Sequence, residues 1–294
     1  MPFFKSKEFV GILFAIAAYF SFSILDAFQK TAVINHSIFQ LLFIKYIFTL
    51  LLSCSEAKRK NNYKFWQSNN VKLQVLRSFF SIIESGCFVL AFRYLSLADV
   101  HSVGSLAPVI IVALSALILK ENVSPKTWIA IFVGFLGVLI ILRPGLSIFD
   151  IKSLLPLMAA FFLGLYQVVT RKVSENDSTE TSLFYTSLIG FIVMLILAFV
   201  YWQPLTLNSY FLFTGIGIFF SMGIYFQIIA LSKARASIIQ PFHYTLIFWA
   251  IILGYFVYGD FPDMPTIAGA IIIAASGIYV LREGKQRIEQ ANKE

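Results

Sequence analysis

The sequence is poor in charge. Only 13% of its 294 residues are Asp, Glu, Lys or Arg, about half of the roughly 25% usual in a soluble domain, which excludes a disordered chain, a coiled coil and an ordinary globular core. Cysteine is scarcer still. Cys54 and Cys87 both fall in apolar stretches, so neither a disulfide framework nor a paired-cysteine metal or redox site is available. No glycine-rich phosphate loop opens a helix, which argues against ATP coupling within the chain. Alternating strand patterns are missing as well: the 32 Phe residues lie in long unbroken apolar runs, unlike the strands of a lipid-facing barrel. What is present is 59% hydrophobic and 17% aromatic residues with a mean hydropathy of +0.81. Such a chain is an all-α integral membrane protein.

Apolar runs of spanning length, near 20 residues each, predict ten helices at 9–29, 37–55, 73–95, 99–119, 127–143, 153–170, 181–201, 209–231, 236–258 and 266–282. Connections are short. The first run follows Lys5 and Lys7 but continues to Asp26 and Lys30 without a small-residue cleavage site, so it reads as a retained helix and not a signal peptide. The net charge of +8 is a matter of position. One side of the predicted spans receives seventeen basic residues, from Lys5 and Lys7 through the Lys58–Lys72 stretch, Lys120, Lys126, Arg171, Lys172, Lys233 and Arg235 to the tail. The other receives Lys30, Arg93, Arg143 and Lys152. This asymmetry predicts both termini in the cytoplasm, an even number of spans and a location in the cytoplasmic (inner) membrane. It also removes any need for a nucleic-acid partner.

The chain carries an internal repeat. Residues 124–142 align with 264–281, setting Pro125 on Pro265, Ala130 on Ala270 and Gly137 on Gly277. Upstream, Leu95, Ser96 and Ala98 match Leu231, Ser232 and Ala234, while Asp26 and Lys30 fall on Gln167 and Arg171, and Phe43 on Phe184. Two five-helix units are expected, 1–147 and 148–285, followed by a polar tail, 286–294. A unit with an odd number of spans inserts in opposite directions in its two copies, giving the inverted repeat from which secondary transporters build alternating access.

The stretch ALSKARASIIQPFHYTLIFWAIILGYFVYGDFPDMPTIAGAIIIAASGIYVL (230–281) and its counterpart at 94–145 resemble the two EamA domains of the drug/metabolite transporter superfamily. SILDAFQK near the end of the first span and QPFHYT in the ninth resemble the branch that contains S-adenosylmethionine and riboflavin uptake carriers. The resemblance implies ten helices, a central cavity lined mainly by spans 1, 3, 4, 6, 8 and 9, and no cofactor. Two departures from the family pattern stand out: Gly259-Asp260 where Gly-Glu is usual, and Lys45 where the second span often carries arginine. A lysine lacks the planar fork for bidentate anion contact.

Ionisable residues inside spans are expensive and therefore mark candidate sites. Lys45 and Glu84 lie midway along the second and third spans; they are either a buried pair joining two helices or contacts for opposite charges of a substrate. Arg77 sits seven residues before Glu84, nearly on the same face, and can equally snorkel to the cytoplasmic headgroups. Asp26 and Lys30 are spaced i, i+4, and Gln167 stands at the repeat-equivalent place of Asp26. Among neutral groups, Tyr225, Gln227, Tyr244 and Trp249 offer hydrogen bonds and aromatic faces, and His243 can carry an exchangeable proton or a structural hydrogen bond. His36 and His101 are expected near the outer surface and rank lower. Pro108 and Pro241 fall inside spans, as tolerated kinks or hinges. The second half has no charge in its span interiors.

Together these features predict a secondary carrier, not an enzyme, for a small polar or zwitterionic metabolite, S-adenosylmethionine-like or amino-acid-like. Riboflavin uptake and export of amino acids or drugs are the alternatives. A proton or an exchanged metabolite is the candidate coupling partner, and the protein is expected as a monomer or homodimer. A membrane-embedded enzyme calls for His, Asp or Glu at metal or nucleophile spacing, and a channel for a polar stripe along a helix; the sequence has neither.

Overall fold

The computed structural model describes residues 7–95, 106–120, 124–142 and 154–258, together with residues 100, 101, 104 and 152 and parts of 264–279. Its helices are α1 (Lys7–Ala32), α2 (Ile38–Arg59), α3 (Val71–Tyr94), α4 (Ala107–Ile118), α5 (Pro125–Leu142), α6 (Leu154–Val173), α7 (Thr179–Val200), α8 (Leu207–Lys233), α9 (Ala236–Ile239) and α10 (Thr245–Tyr258). A shorter apolar helix, α11, runs over Ile267–Ser276. No strand occurs among the described residues. Six helices, α1, α2, α3, α6, α7 and α8, are long and apolar enough to cross a bilayer. The tail at 286–294, Gly259-Asp260 and the repeat positions Ser96, Ala98, Pro265, Ala270 and Gly277 lie outside the described residues.

Local chemistry sets several boundaries. Asn70 caps α3 by accepting from the Leu73 amide, Ser178 caps α7 by accepting from Thr181, and Thr206 forms a reciprocal capping box with Ser209 at the start of α8. The two span prolines do not sit as mid-helix kinks. Pro108 lies in the first turn of α4, and Pro241 opens a 3₁₀ segment, Gln240–Tyr244, that divides the expected ninth span into α9 and α10. Both occupy places where the missing N–H breaks no helical bond.

Helices pair across the two halves. α1 packs along α8, α2 along α7 and α3 along α6; secondary contacts join α2 with α8, α3 with α7, α1 with α10, and α4 with α6. Exchanging α1 with α6, α2 with α7, α3 with α8 and α4 with the α9–α10 segment returns the same set of pairs. The helix-start residues follow the same exchange. Ser37 and Ser178, preceding α2 and α7, are 141 apart (178 − 37), and Asn70 and Thr206, preceding α3 and α8, are 136 apart (206 − 70). The difference of five equals the excess of the 60–70 loop over the 201–206 loop.

Individual contacts obey these offsets. Lys30 donates to the Leu95 carbonyl (3.2 Å), and its counterpart Arg171 donates to the Leu231 carbonyl (3.0 Å). His36 grips Ser209 at the start of α8 (2.8 Å), while Asp177, 141 residues later, accepts from the Asn69 amide (2.8 Å) and Gln74 (2.8 Å) at the start of α3. Each member of a pair lies at the opposite end of the bundle from its partner.

Several glycines of α7 and α8 seat aromatic rings of facing helices. A β-carbon at Gly190 of α7 would come within 2.5 Å of the Tyr46 ring on α2. Gly215, Gly217 and Gly223 of α8 receive Phe28, Phe48 and Phe22 in the same manner. Small residues at membrane helix contacts allow such approach, because association there rests on packing and not on water exclusion.

Candidate functional site

The crossing helices enclose a cavity of about 90 Å³, room for about three waters at ~30 Å³ each. α1 supplies Tyr19, Phe22, Leu25, Asp26 and Gln29 to its wall; α2 supplies Lys45; α3 supplies Ser81, Glu84, Ser85 and Phe88. His101 and Gly104 come from the segment before α4, Leu163 and Tyr166 from α6, Phe220, Ile224 and Gln227 from α8, and His243 and Leu246 from the region of the helix break. Polar groups are thus placed inside an apolar bundle, where each one costs energy unless partnered.

Several of them are not. Lys45 is buried, its ammonium 4.8 Å above the Phe220 ring, with no carboxylate within 4.0 Å among the described residues. Glu84 accepts only the Ser85 hydroxyl (3.1 Å). Asp26 accepts from Gln29 (3.1 Å) and faces His101 Nε2 at 3.4 Å. The Tyr19 hydroxyl nears Gln167 without closing a hydrogen bond, and Nδ1 of His243 has no partner among the described residues. The His243 ring rests edge-on against Tyr19, with centroids 5.0 Å apart. The cavity therefore presents a cation, two carboxylates, two imidazoles and aromatic faces whose hydrogen-bonding capacity is largely unspent.

Of the residues singled out in the sequence, Asp26, Lys45, Glu84, Gln227 and His243 line this cavity. The other five lie elsewhere. Arg77 is fully buried and spent: it donates to Gln74 (3.2 Å), Tyr166 (3.5 Å), Thr170 (3.2 Å), the Ser182 carbonyl (2.5 Å) and Thr186 (2.7 Å), joining α3 to α6 and α7. It does not snorkel. Gln167 accepts from Gln240 of the 3₁₀ segment (2.8 Å). The Tyr225 hydroxyl donates to Glu56 (2.9 Å) near the end of α2. Tyr244 donates to the Ile131 carbonyl (3.2 Å), and Trp249 packs edge-on against Phe20, 4.7 Å between centroids.

Sequence position alone placed His101 near the outer surface; its side chain lines the cavity and is only 9% exposed. Tyr19 was also overlooked, although its spacing of seven from Asp26 puts both on one helical face. Tyr166 and Ser81 carried no distinguishing signal among so many aromatic and small residues.

Away from the cavity, a second polar cluster ties the 60–70 loop to the 174–178 loop. Asp177 accepts from Ser68 (2.5 Å), the Asn69 amide and side chain, and Gln74. Burial pushes its carboxyl up, but the hydrogen bonds from Ser68, Gln74 and Asn69 outweigh that and hold it below the usual carboxylate range. Nearby, Lys60 pairs with Glu180, and Arg59 with Glu56 at 2.6 Å. Among the described residues no group of three or more His, Cys, Asp or Glu is placed to hold a metal.

Long apolar helices around a small, mostly apolar cavity with a few charged groups in its wall are the architecture of a multi-pass membrane protein. The chain belongs to the EamA-like transporter family, whose model matches residues 9–143 and again 151–282. It is 27% identical over 187 residues to an S-adenosylmethionine uptake transporter of Rickettsia prowazekii, covering 63% of each chain. A riboflavin transporter of Vibrio cholerae is 34% identical over 167 residues, 56% of each chain. The pseudopaline exporter of Pseudomonas aeruginosa is 25% identical over 280 residues, 94% of this chain and 97% of that one. The match to the first of these relatives thus spans less than two thirds of its length. One solved structure shares the fold with a TM-score of 0.78, over 94% of this chain and 98% of that chain, at 14% identity. The family and these relatives are transporters, not enzymes.

Proposed function

We propose that the protein is a secondary carrier of the cytoplasmic membrane that moves a small zwitterionic metabolite by alternating access. Its ten spans form two inverted five-helix repeats, 1–147 and 148–285, with both termini in the cytoplasm. The paired contacts at constant offsets and the exchange-symmetric helix pairing support the repeat, and the crowding of basic residues at one end supports the orientation. The observation that carries the reading is the unspent cavity: Lys45 and Glu84 face one space without a direct ion pair. A ligand with separated charges satisfies both, its carboxylate on Lys45 and its cationic group on Glu84 and Asp26. Tyr19, Phe22, Phe88, Tyr166 and Phe220 offer faces for a planar ring or a sulfonium. S-adenosylmethionine has all three groups.

A cavity of about 90 Å³ is far below the roughly 300–1,000 Å³ of a ligand-filled pocket. The substrate enters only when the halves part, and their contracted form belongs between outward and inward openings. Export is the second reading, favoured by the exporter's alignment over 94% of this chain; gradients, and not the site, set direction. A proton or an exchanged metabolite is the coupling partner. Counterflow in proteoliposomes loaded with unlabelled S-adenosylmethionine tests the assignment. Labelled S-adenosylmethionine accumulates transiently with the parent and fails to do so with Glu84→Gln or Lys45→Met. Parental exchange in both variants overturns the site, and no exchange of any amino acid, S-adenosylmethionine or riboflavin overturns the carrier reading.

A further inference from the structure

We propose that the two offset-related clasps are the two gates of the transport cycle: Asp177 on the α3 start closes one end of the bundle and His36 on the α8 start closes the other. We further propose that protons open only the His36 gate. The inference rests on the alternating-access reading given above.

The geometry makes the clasps equivalent. His36 and Asp177 stand 141 residues apart in the turns before α2 and α7, each one residue ahead of the N-cap residue. Each reaches the first turn of a helix in the other half, α8 or α3, next to Thr206 or Asn70, which are 136 apart. Because α1–α2 and α6–α7 hold these turns, separating either clasp parts the halves at that end alone. In an inverted repeat, gates must occur as such a pair.

Their chemistry differs. The Asp177 clasp has a carboxylate that accepts from three residues, all neutral donors. Arg77 reaches it through Gln74, and the Lys60–Glu180 pair sits one turn further on. The His36 clasp is a single bond to Ser209, whose hydroxyl is already engaged by Thr206, with the Gln40 to Gln203 carbonyl bond beside it (2.9 Å). Its Nδ1 is buried and has no partner among the described residues. Phe213 covers the ring, 4.9 Å between centroids. Among the described residues no acid pairs with it: the titratable residues on the neighbouring elements, Tyr201 and Tyr210, are 55% and 59% exposed, and Lys30 donates to the Leu95 carbonyl.

A second proton on His36 therefore has nowhere to go in the closed form. With Nε2–H donated to Ser209 it puts a new N–H at the unpartnered Nδ1, and in either tautomer it puts a positive charge beside the electropositive start of α8. Separation lets water take the charge. Burial already holds the closed-state imidazole below its ordinary value near 6.5, so the closed form binds fewer protons than the open one. The open-to-closed ratio then rises as pH falls below that value, by at most about tenfold per unit for one proton. The Asp177 carboxylate, held below the usual range, stays ionised across this window and its clasp stays shut.

Spin-label distances at the two ends test this without knowledge of the substrate. The outer pair is Ile34→Cys with Leu207→Cys, at residues 69% and 90% exposed; the inner pair is Tyr63→Cys with Glu175→Cys, both at exposed sites. Both pairs are placed in a background with Cys54→Ser and Cys87→Ser, in proteoliposomes at pH 8 and pH 5. The expected result is a longer outer distance whose population grows between pH 8 and pH 5, with the inner distance unchanged. His36→Gln abolishes the response, Ser209→Ala shows the longer distance already at pH 8, and Asp177→Asn lengthens the inner distance at both values. An outer distance that ignores pH, a response that survives His36→Gln, or an inner distance that ignores Asp177→Asn overturns the proposal. Counterflow on the same vesicles separates the two readings. Exchange with immobile distances overturns the clasps alone, whereas mobile distances without exchange support the clasps and count against the carrier.

Discussion

Arg77 and Lys45 are the two cations buried within spans of the first half, and the protein treats them in opposite ways. Arg77 directs its guanidinium to five oxygens on three helices and stacks on Tyr166 at 5.4 Å. Lys45 has an aromatic face and open space. A saturated buried charge is architecture, since removing it strands its acceptors; an unsaturated one beside a cavity is free to meet a ligand, as proposed for Lys45. The same contrast separates the Asp177 cluster from Glu84 and the Tyr19–His243 contact. Here the degree of satisfaction, more than burial or charge, divides scaffold from site.

The sharpest way to break this contrast is Arg77→Met. It removes the guanidinium donor from Gln74, Tyr166, Thr170, Thr186 and the Ser182 carbonyl, the last of which keeps the Thr186 hydroxyl, and a loss of about 3 kcal/mol is expected, read as a fall of thermal stability in detergent. An unchanged melting temperature would sink the distinction. Gly190→Ala is next: its methyl meets the Tyr46 ring at 2.5 Å, and overpacking of this kind costs about 1–3 kcal/mol, measurable in the same scan. The Asp177 cluster sharpens the comparison through pH. Its carboxyl is depressed in the folded protein, so its contribution is complete above the ordinary value near 3.9 and disappears as pH falls through the folded value. Asp177→Asn should flatten that acid limb while lowering stability at neutral pH by about 1–2 kcal/mol. The smallest change belongs to the cavity. Lys45→Met and Glu84→Gln should shift stability by less than about 1 kcal/mol, or raise it, because each removes a buried charge that makes no direct ion pair. Both should nevertheless abolish any thermal shift that S-adenosylmethionine, the proposed substrate, gives with the parent. A large loss of stability in either would mean that the pair holds helices together.

Much of the architecture was legible because hydropathy reports depth. The long spans fall where apolar runs placed them, and the offset linking Lys30 with Arg171 reappears as two matching hydrogen bonds at opposite ends. Depth carries no information about rotation around a helix axis. Arg77 and Glu84, seven residues apart, share a face, yet Arg77 meets α6 and α7 while Glu84 opens to the cavity. That division depends on what the second half brings to each level. His101 was ranked low for a related reason: a position near a span end reads as interfacial, but its side chain lines the cavity 3.4 Å from Asp26. Pro241 signalled an irregularity without revealing that the chain would change to a 3₁₀ segment held by Gln240 on Gln167. Tyr225 belongs to a loop-end network because Glu56 and Arg59, far away in sequence, stand opposite it.

The glycine-seated rings have a mechanical consequence. Ordinary helix contacts mesh like gears, with side chains of one helix lodged between those of the next, so sliding or tilting requires teeth to disengage. Tyr46 on Gly190, and Phe28, Phe48 and Phe22 on the glycines of α8, are flat plates against bare backbone. Such a seam behaves as a bearing: it keeps two helices in close contact while leaving no interlock to be sheared when one rolls over the other. The abundance of phenylalanine that marked the chain as a membrane protein thus supplies smooth surfaces at the joints about which the proposed cycle turns.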